Sequence, residues 1–313
     1  LDDVPYAIKR ARLLYCENAE MCETFAVERA LKAEYNTKPK GEIQLNSVYD
    51  DRMWHKMQHG LDKEWATWGK YDAISVIPPR AAAHVDPKLV LDARAVWTDK
   101  NKDGADFEPK CRIVGKGFQE VYDQTLRRDS PTASPQMANM LITLVTMLKM
   151  RLLVADVTGA FLQGERIERE LYFRLPQNLG RCQLAGVAPG SLLKLNKSIY
   201  GTNDAARAWY LALRKVLIGT GWQSLSFEPA SLIFRGKKGG ILGMIVLHVD
   251  DFLMGISRCS EGARLIETLK KHIDFGTIEY TDEGVPRKFC GREILQDPKE
   301  IEPRVITVRE MAR

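Results

Sequence analysis

Two adjacent carboxylates, Asp250 and Asp251, stand between strongly apolar runs at residues 241–247 and 252–256. An acid pair at a solvated hairpin tip is ordinary. Here, however, the connecting His248-Val249-Asp250-Asp251 offers no Gly, Asn or Pro to supply favoured turn geometry. The flanks are apolar enough for strands buried on both faces. Carboxylates held in such a place repel each other and lose solvation, which is unfavourable unless a cation neutralises them. Mg²⁺ answers that need, because it prefers hard oxygen ligands and takes few from the protein. A third acid, Asp156, lies at the end of another apolar run, residues 151–157. Were these strands neighbours, three carboxylates could hold two metal ions about 4 Å apart, the arrangement used in phosphoryl transfer. A plain turn and a strand-end cap remain the alternative reading of the same residues.

Composition bounds the rest. The chain has 313 residues, 45% hydrophobic and 28% charged, which excludes disordered and fibrous classes and leaves room for one large or two small domains. Forty-six Lys and Arg against 41 Asp and Glu give a net charge of +5, which permits an anionic partner without demanding one. Six cysteines with no CxxC pair argue against a disulfide scaffold or a zinc ribbon and suit a reducing compartment. No apolar run reaches the roughly 18 residues of a membrane span, so no membrane partner is expected. The opening Leu-Asp-Asp, without Met or signal peptide, reads as a piece of a longer polypeptide.

Along the chain, residues 1–45 read as a leader from an upstream segment. Met53, Trp54, Met57, Leu61 and Trp65 recur at helical spacing and predict an amphipathic helix over 50–68. A short strand is expected at 73–77 and a β-hairpin over 96–118, turning at Asp103-Gly104. The apolar stretch 137–150 lacks Gly and Pro and predicts a buried helix. Further helices are expected at 204–218 and 261–273, and a last β segment from Phe289. Strands and helices do not alternate regularly, so the expected class is α+β rather than doubly wound.

Several blocks, in order, resemble the reverse transcriptase of copia-type LTR retrotransposons over about 48–295. KCRIVGKGFQ at 110–119 is similar to the family's KARLVAKGFxQ. Ser130-Pro131-Thr132 is similar to its SPV/T, and DVTGAFLQG at 156–164 to its DVKTAFLNG. Ser198-Ile199-Tyr200-Gly201 with Arg207-Ala208-Trp209 resembles SLYG…RAW, and His248-Val249-Asp250-Asp251 stands where the family has YVDD.

The resemblance implies a right-hand polymerase of α+β class. Fingers would occupy 46–128, and a palm 129–295, its antiparallel sheet flanked by helices. Residues 296–313 would begin the thumb connection, with the thumb largely missing and no RNase H domain. Asp156, Asp250 and Asp251 would be the catalytic acids and hold two Mg²⁺ or Mn²⁺ ions. Lys110, Arg112 and Lys116 would grip the dNTP triphosphate, Arg112 foremost. Phe161 would be the aromatic gate under the sugar, and Tyr200 and Gly201 would line the dNTP pocket. His248 would pack on the primer end, with Phe289 and Gly291 in a primer grip. The implied partners are an RNA template, a DNA primer, dNTPs, and the integrase and RNase H parts of a polyprotein. The implied location is a cytoplasmic virus-like particle or the nucleus.

Two departures stand out. His248 replaces Tyr, and Thr202-Asn203-Asp204-Ala205-Ala206 replaces the family's LKQAP. An inward-facing Asp204 would weaken attraction for a triphosphate. The 202–206 substitutions and the missing thumb motivate a competing reading, a decayed or co-opted copy that only binds nucleic acid; a nucleotide cyclase is a third, disfavoured by the 110–119 block. Asp99-x-Asn101-x-Asp103-Gly104 matches half an EF-hand loop but meets Lys110 at the closing position, so a polar hairpin tip is expected. His55 and His59 sit four apart without a third ligand and read as an exposed helix face.

Overall fold

A computed structural model describes residues 42–48, 50–101, 106–121, 125–296 and the strand 306–310. The described residues fall into two compact units, those within 1–60 with 96–112, and those within 61–95 with 113–313. The fold is α+β.

In the first unit, helix α1 (Asp51–Lys70) begins; it runs on into the second. The Asp50 carboxylate accepts a hydrogen bond from the Met53 amide at 2.6 Å, satisfying one of the free donors of the first turn. Gly60 is needed inside this helix, since a Cβ there would stand 2.6 Å from the Pro109 carbonyl oxygen. His55 and His59 are exposed, as their spacing predicts. The turn expected at Asp103-Gly104 lies outside the described residues. Asp99 accepts from the amides of Asn101 and Glu108, the hydrogen bonding of a turn.

The described strands form two main sheets and a smaller one. The first has the order β1-β6-β5-β2-β3, from strands β1 (Ile74–Ile77), β2 (Val90–Asp99), β3 (Pro109–Gly115), β5 (Tyr172–Arg174) and β6 (Leu192–Leu195). The segment expected to be a simple hairpin is therefore part of a mixed sheet. Its first strand starts at Val90 and pairs in parallel with β5.

The second sheet is wholly antiparallel, in the order β11-β4-β10-β9-β8-β7. Its strands are β4 (Arg151–Val157), β7 (Gln223–Ser224), β8 (Ser231–Arg235), β9 (Ile241–His248), β10 (Asp251–Ile256) and β11 (Phe275–Tyr280). Helices cover both faces, which is why the central strands read as continuous apolar runs. Leu153, Ala155, Val157, Phe252 and Met254 pack with α3 (Ala205–Gly219) and α4 (Ser260–Lys270). Leu152, Val154, Leu253 and Val246 pack with α2 (Pro135–Met147). By strand alternation, Asp156 and Asp251 fall on the α2 face, at the ends of their strands.

A small sheet of β12 (Arg287–Phe289), β13 (Arg292–Gln296) and β14 (Ile306–Glu310) completes the chain. Gln296 is fully buried and fastens it to the start of β4. Its amide donates to the Met150 carbonyl at 2.9 Å and accepts from the Leu152 amide at 3.1 Å. No helix among the described residues is long and apolar enough to cross a membrane.

Candidate active site

The register of the antiparallel sheet decides where the acids sit. Asp251 pairs directly with Asp156 on β4, and with His248 on β9. Direct partners in antiparallel strands have Cα atoms about 4.5–5.5 Å apart and side chains on the same face. Asp250 occupies the turn between β9 and β10, and its carbonyl accepts from the Val157 amide at 3.2 Å, next to Asp156. The chain thus converges, from positions more than ninety residues apart, on one end of the sheet.

The charges are felt. Burial first, then the negative charges of Asp250 and Asp156, push the Asp251 carboxyl up to about 6, with His248 pulling the other way. This is the signature of crowded, partly desolvated like charges. The donor set is hard carboxylate oxygen, which suits Mg²⁺ or Mn²⁺. Among the described residues no three His, Cys, Asp or Glu side chains are already closed around a single point.

The turn that carries Asp250 is strained. Val249 has φ = 59°, in the left-handed region. A β-branched residue there costs about 1–3 kcal/mol and persists only where the surroundings over-determine it. The missing Gly noted in the sequence therefore has a structural counterpart. The Val249 carbonyl accepts a hydrogen bond from the Trp209 indole N–H at 2.8 Å.

Gly276 of β11 is a neighbour that sequence reasoning passed over. The β4–β11 register shifts between Phe275 and Thr277. A Cβ on Gly276 would lie 3.1 Å from the Asp156 carboxylate and 2.9 Å from the Thr158 hydroxyl. An isolated Gly inside a strand pattern, as in FGTIEY at 275–280, marks such a close approach and was the available clue.

The other predicted site residues fall into groups. Phe161 and Tyr200 meet edge-to-face, ring centroids 5.1 Å apart. Gly201 has φ = 92°, and a Cβ on it would stand 2.0 Å from the Gly115 carbonyl oxygen. The Gly115 amide donates to the Tyr200 carbonyl at 2.8 Å. Lys116 is thereby brought beside Tyr200 and Gly201, but its amine faces the Asp92 carboxylate at 3.4 Å. Gln119, then Arg174 and Lys116, hold Asp92 below the usual carboxylate range. Lys110 and Arg112 lie on the exposed face of β3 in the first unit. Phe289 is buried in the core beside α2. Cys290 and Gly291, with φ of 47° and 75°, make the tight turn between β12 and β13.

Asp204 does not stand free beside the pocket. Its carboxylate receives a bidentate pair of hydrogen bonds from Arg169, at 2.6 and 2.8 Å. Arg169 also donates to Glu120 at 2.9 Å. Burial alone would raise the Asp204 carboxyl, but the hydrogen bonds and charge of Arg169 outweigh it and hold it low. Asn203 joins the same cluster, donating to the Gly117 carbonyl and to Glu120. The substituted 202–206 segment therefore clamps the turn after β3. Sequence spacing could not show this, because the compensating arginine lies 35 positions away.

The sequence pattern of the family described as "Reverse transcriptase (RNA-dependent DNA polymerase)" matches residues 86–306. The chain belongs to this family. Among curated relatives of this reverse transcriptase domain are two plant proteins. The retrovirus-related Pol polyprotein from transposon RE2 of Arabidopsis thaliana is 28% identical over 226 residues, 70% of this chain and 14% of its own length. That from transposon TNT 1-94 of Nicotiana tabacum is 26% identical over 218 residues, 67% of this chain and 15% of its own. The transposon Ty1-DR4 Gag-Pol polyprotein of Saccharomyces cerevisiae is 26% identical over 240 residues, 74% of this chain and 13% of its own. The chain thus spans only about one seventh of the relatives it matches. Asp156, Asp250 and Asp251 all lie inside the matched reverse transcriptase region.

Proposed function

We propose that this domain is an RNA-directed DNA polymerase of a copia-type element, adding dNTPs to a primer 3′-hydroxyl. The observation that carries the reading is the direct pairing of Asp156 with Asp251, with Asp250 in the adjoining turn. In this reading the antiparallel sheet is the palm, and β2 with β3 belongs to the fingers.

Asp156 and Asp250 would hold two divalent ions, Mg²⁺ or Mn²⁺, with Asp251 in support. Bound there, such ions favour the attacking hydroxylate and neutralise charge on the departing pyrophosphate. The chain's own residues do the rest. The Phe161 ring, braced by Tyr200, stands under the incoming sugar and excludes a 2′-hydroxyl. Tyr200 and Gly201 line the nucleotide pocket, and Lys116, Lys110 and Arg112 supply cations to the triphosphate. His248, beside Asp251, packs against the primer end. Template and primer are gripped through their backbones, so binding weakens with salt. Its partners in the polyprotein would be integrase and RNase H, working in a cytoplasmic virus-like particle or the nucleus.

The alternative, a copy that only binds nucleic acid, drew on the 202–206 substitutions. Of those residues, Asn203 and Asp204 are engaged in the Arg169 cluster, which weakens that motive. Extension of oligo(dT) on poly(rA) with Mg²⁺ or Mn²⁺ tests the proposal. Wild-type protein should extend the primer and Asp250→Asn should not. Equal, tight hybrid binding by both proteins with no extension by either, in this chain and in a longer one, would instead favour the binding-only copy.

A further inference from the structure

Trp209 sits on α3, is 3% exposed, and packs among Leu153, Ala155, Leu247 and Phe252. Taken alone it is a core residue. Its indole N–H, however, reaches out of the apolar cluster to the carbonyl of Val249 at 2.8 Å. That carbonyl belongs to the one residue of the acid-bearing turn with a left-handed φ, 59°. The neighbouring Asp250 carbonyl is held at 3.2 Å by the Val157 amide. Two donors from two different elements thus fix the two central peptides of a turn whose sequence disfavours its own conformation.

We propose that Trp209 is a positioning residue: its indole N–H latches the strained Val249 peptide and so sets the direction in which Asp250 and Asp251 project. This rests on the polymerase reading for its consequence, but the latch itself is a property of the turn. Without the indole donor, Val249 relaxes toward ordinary φ, and the carboxylates on either side of it shift. A displacement of about 1 Å in a reacting group lowers rates by up to roughly a hundredfold. The dependence on strain gives the inference a specific signature. Glycine adopts positive φ without penalty, so Val249→Gly should remove the need for the latch.

The test compares wild type, Trp209→Phe, and Trp209→Phe combined with Val249→Gly. Hydrogen exchange of the 247–252 segment is measured without nucleotide, and primer extension is measured in parallel. Trp209→Phe should exchange roughly tenfold faster across that segment, with α3 and β8 unchanged. Its extension rate should fall roughly ten- to a hundredfold, with little change in KM for dNTP. Adding Val249→Gly should restore most of the loss in rate. Should Trp209→Phe fold poorly, 3-benzothienylalanine at position 209 keeps the ring shape and removes only the N–H. Wild-type exchange at 247–252 in the variant lacking the N–H, or a double variant no faster than the single one, overturns the latch. An inactive wild type counts against the polymerase reading alone, because the exchange comparison still decides the latch.

Discussion

Asp251 lies directly across the sheet from Asp156, strand against strand, with His248 on its other side. One register fixes the whole site. A one-residue slip of β10 would turn every side chain of that strand to the opposite face, burying Asp251 among α3 and α4 and moving Phe252 to the α2 face. The apolar residues of both faces therefore hold the acids in place, and the site's geometry is inherited from the core.

Crowding at this pair predicts how stability depends on pH. The Asp251 carboxyl, raised from 3.8 to about 6, keeps its proton in the folded state after the unfolded chain has lost it. The folded state then binds more protons, so this group's contribution falls as pH rises through that window and its penalty is complete above it. With EDTA present at about pH 7.5, Asp251→Asn should melt roughly 2–4 °C higher than wild type, the shift that about 1 kcal/mol gives at this size, after discounting a half-buried group for screening. At about pH 4 the two should coincide. Calorimetry over that range checks both arms.

Gly276 separates geometry from stability. Gly276→Ala would press a methyl against the Asp156 carboxylate, 3.1 Å away, and the Thr158 hydroxyl. Extension should drop about tenfold or more while the melting temperature moves by only a few degrees. Steady-state kinetics alongside a thermal melt will show whether the two respond separately.

The Arg169 cluster should behave as a structural clamp. Arg169→Met leaves Asp204 and Glu120 as uncompensated, mostly buried carboxylates. Removing one partner of a buried ion pair costs about 3–5 kcal/mol. The urea midpoint should fall accordingly, and Arg169→Met with Asp204→Asn and Glu120→Gln should recover most of it.

Phe161 is the predicted sugar gate. Phe161→Ala removes the ring that Tyr200 braces at 5.1 Å. The variant should incorporate ribonucleotides at least tenfold more readily relative to deoxyribonucleotides, read as the ratio of kcat/KM values. Unchanged sugar selectivity would remove Phe161 from the pocket.

What the sequence made legible was largely what lies in the core. The runs at 151–157, 241–247 and 252–256 became neighbouring strands because period and hydrophobicity report burial directly. The 137–150 run became α2, capped by the Ser134 side chain. The short strands β5, β6 and β8 escaped notice, since a few residues carry little periodicity. The engagement of Asp204 was hidden for a different reason: its partner Arg169 is close only in the folded chain. Phe289 shows the same limit, because position in a motif did not reveal that its ring points into the core. The strain at Val249 was half visible, as an absent glycine, while the indole that holds it was not.

The central claim is that Asp156 and Asp250 hold the ions that drive nucleotide addition. A crystal of the domain with primer–template, dNTP and Mn²⁺ tests it most directly through anomalous scattering. Two manganese peaks should appear roughly 3.5–4 Å apart, beside the carboxylates of Asp156 and Asp250. Nucleotide bound in the pocket with manganese absent from those two side chains, or held elsewhere, would contradict it.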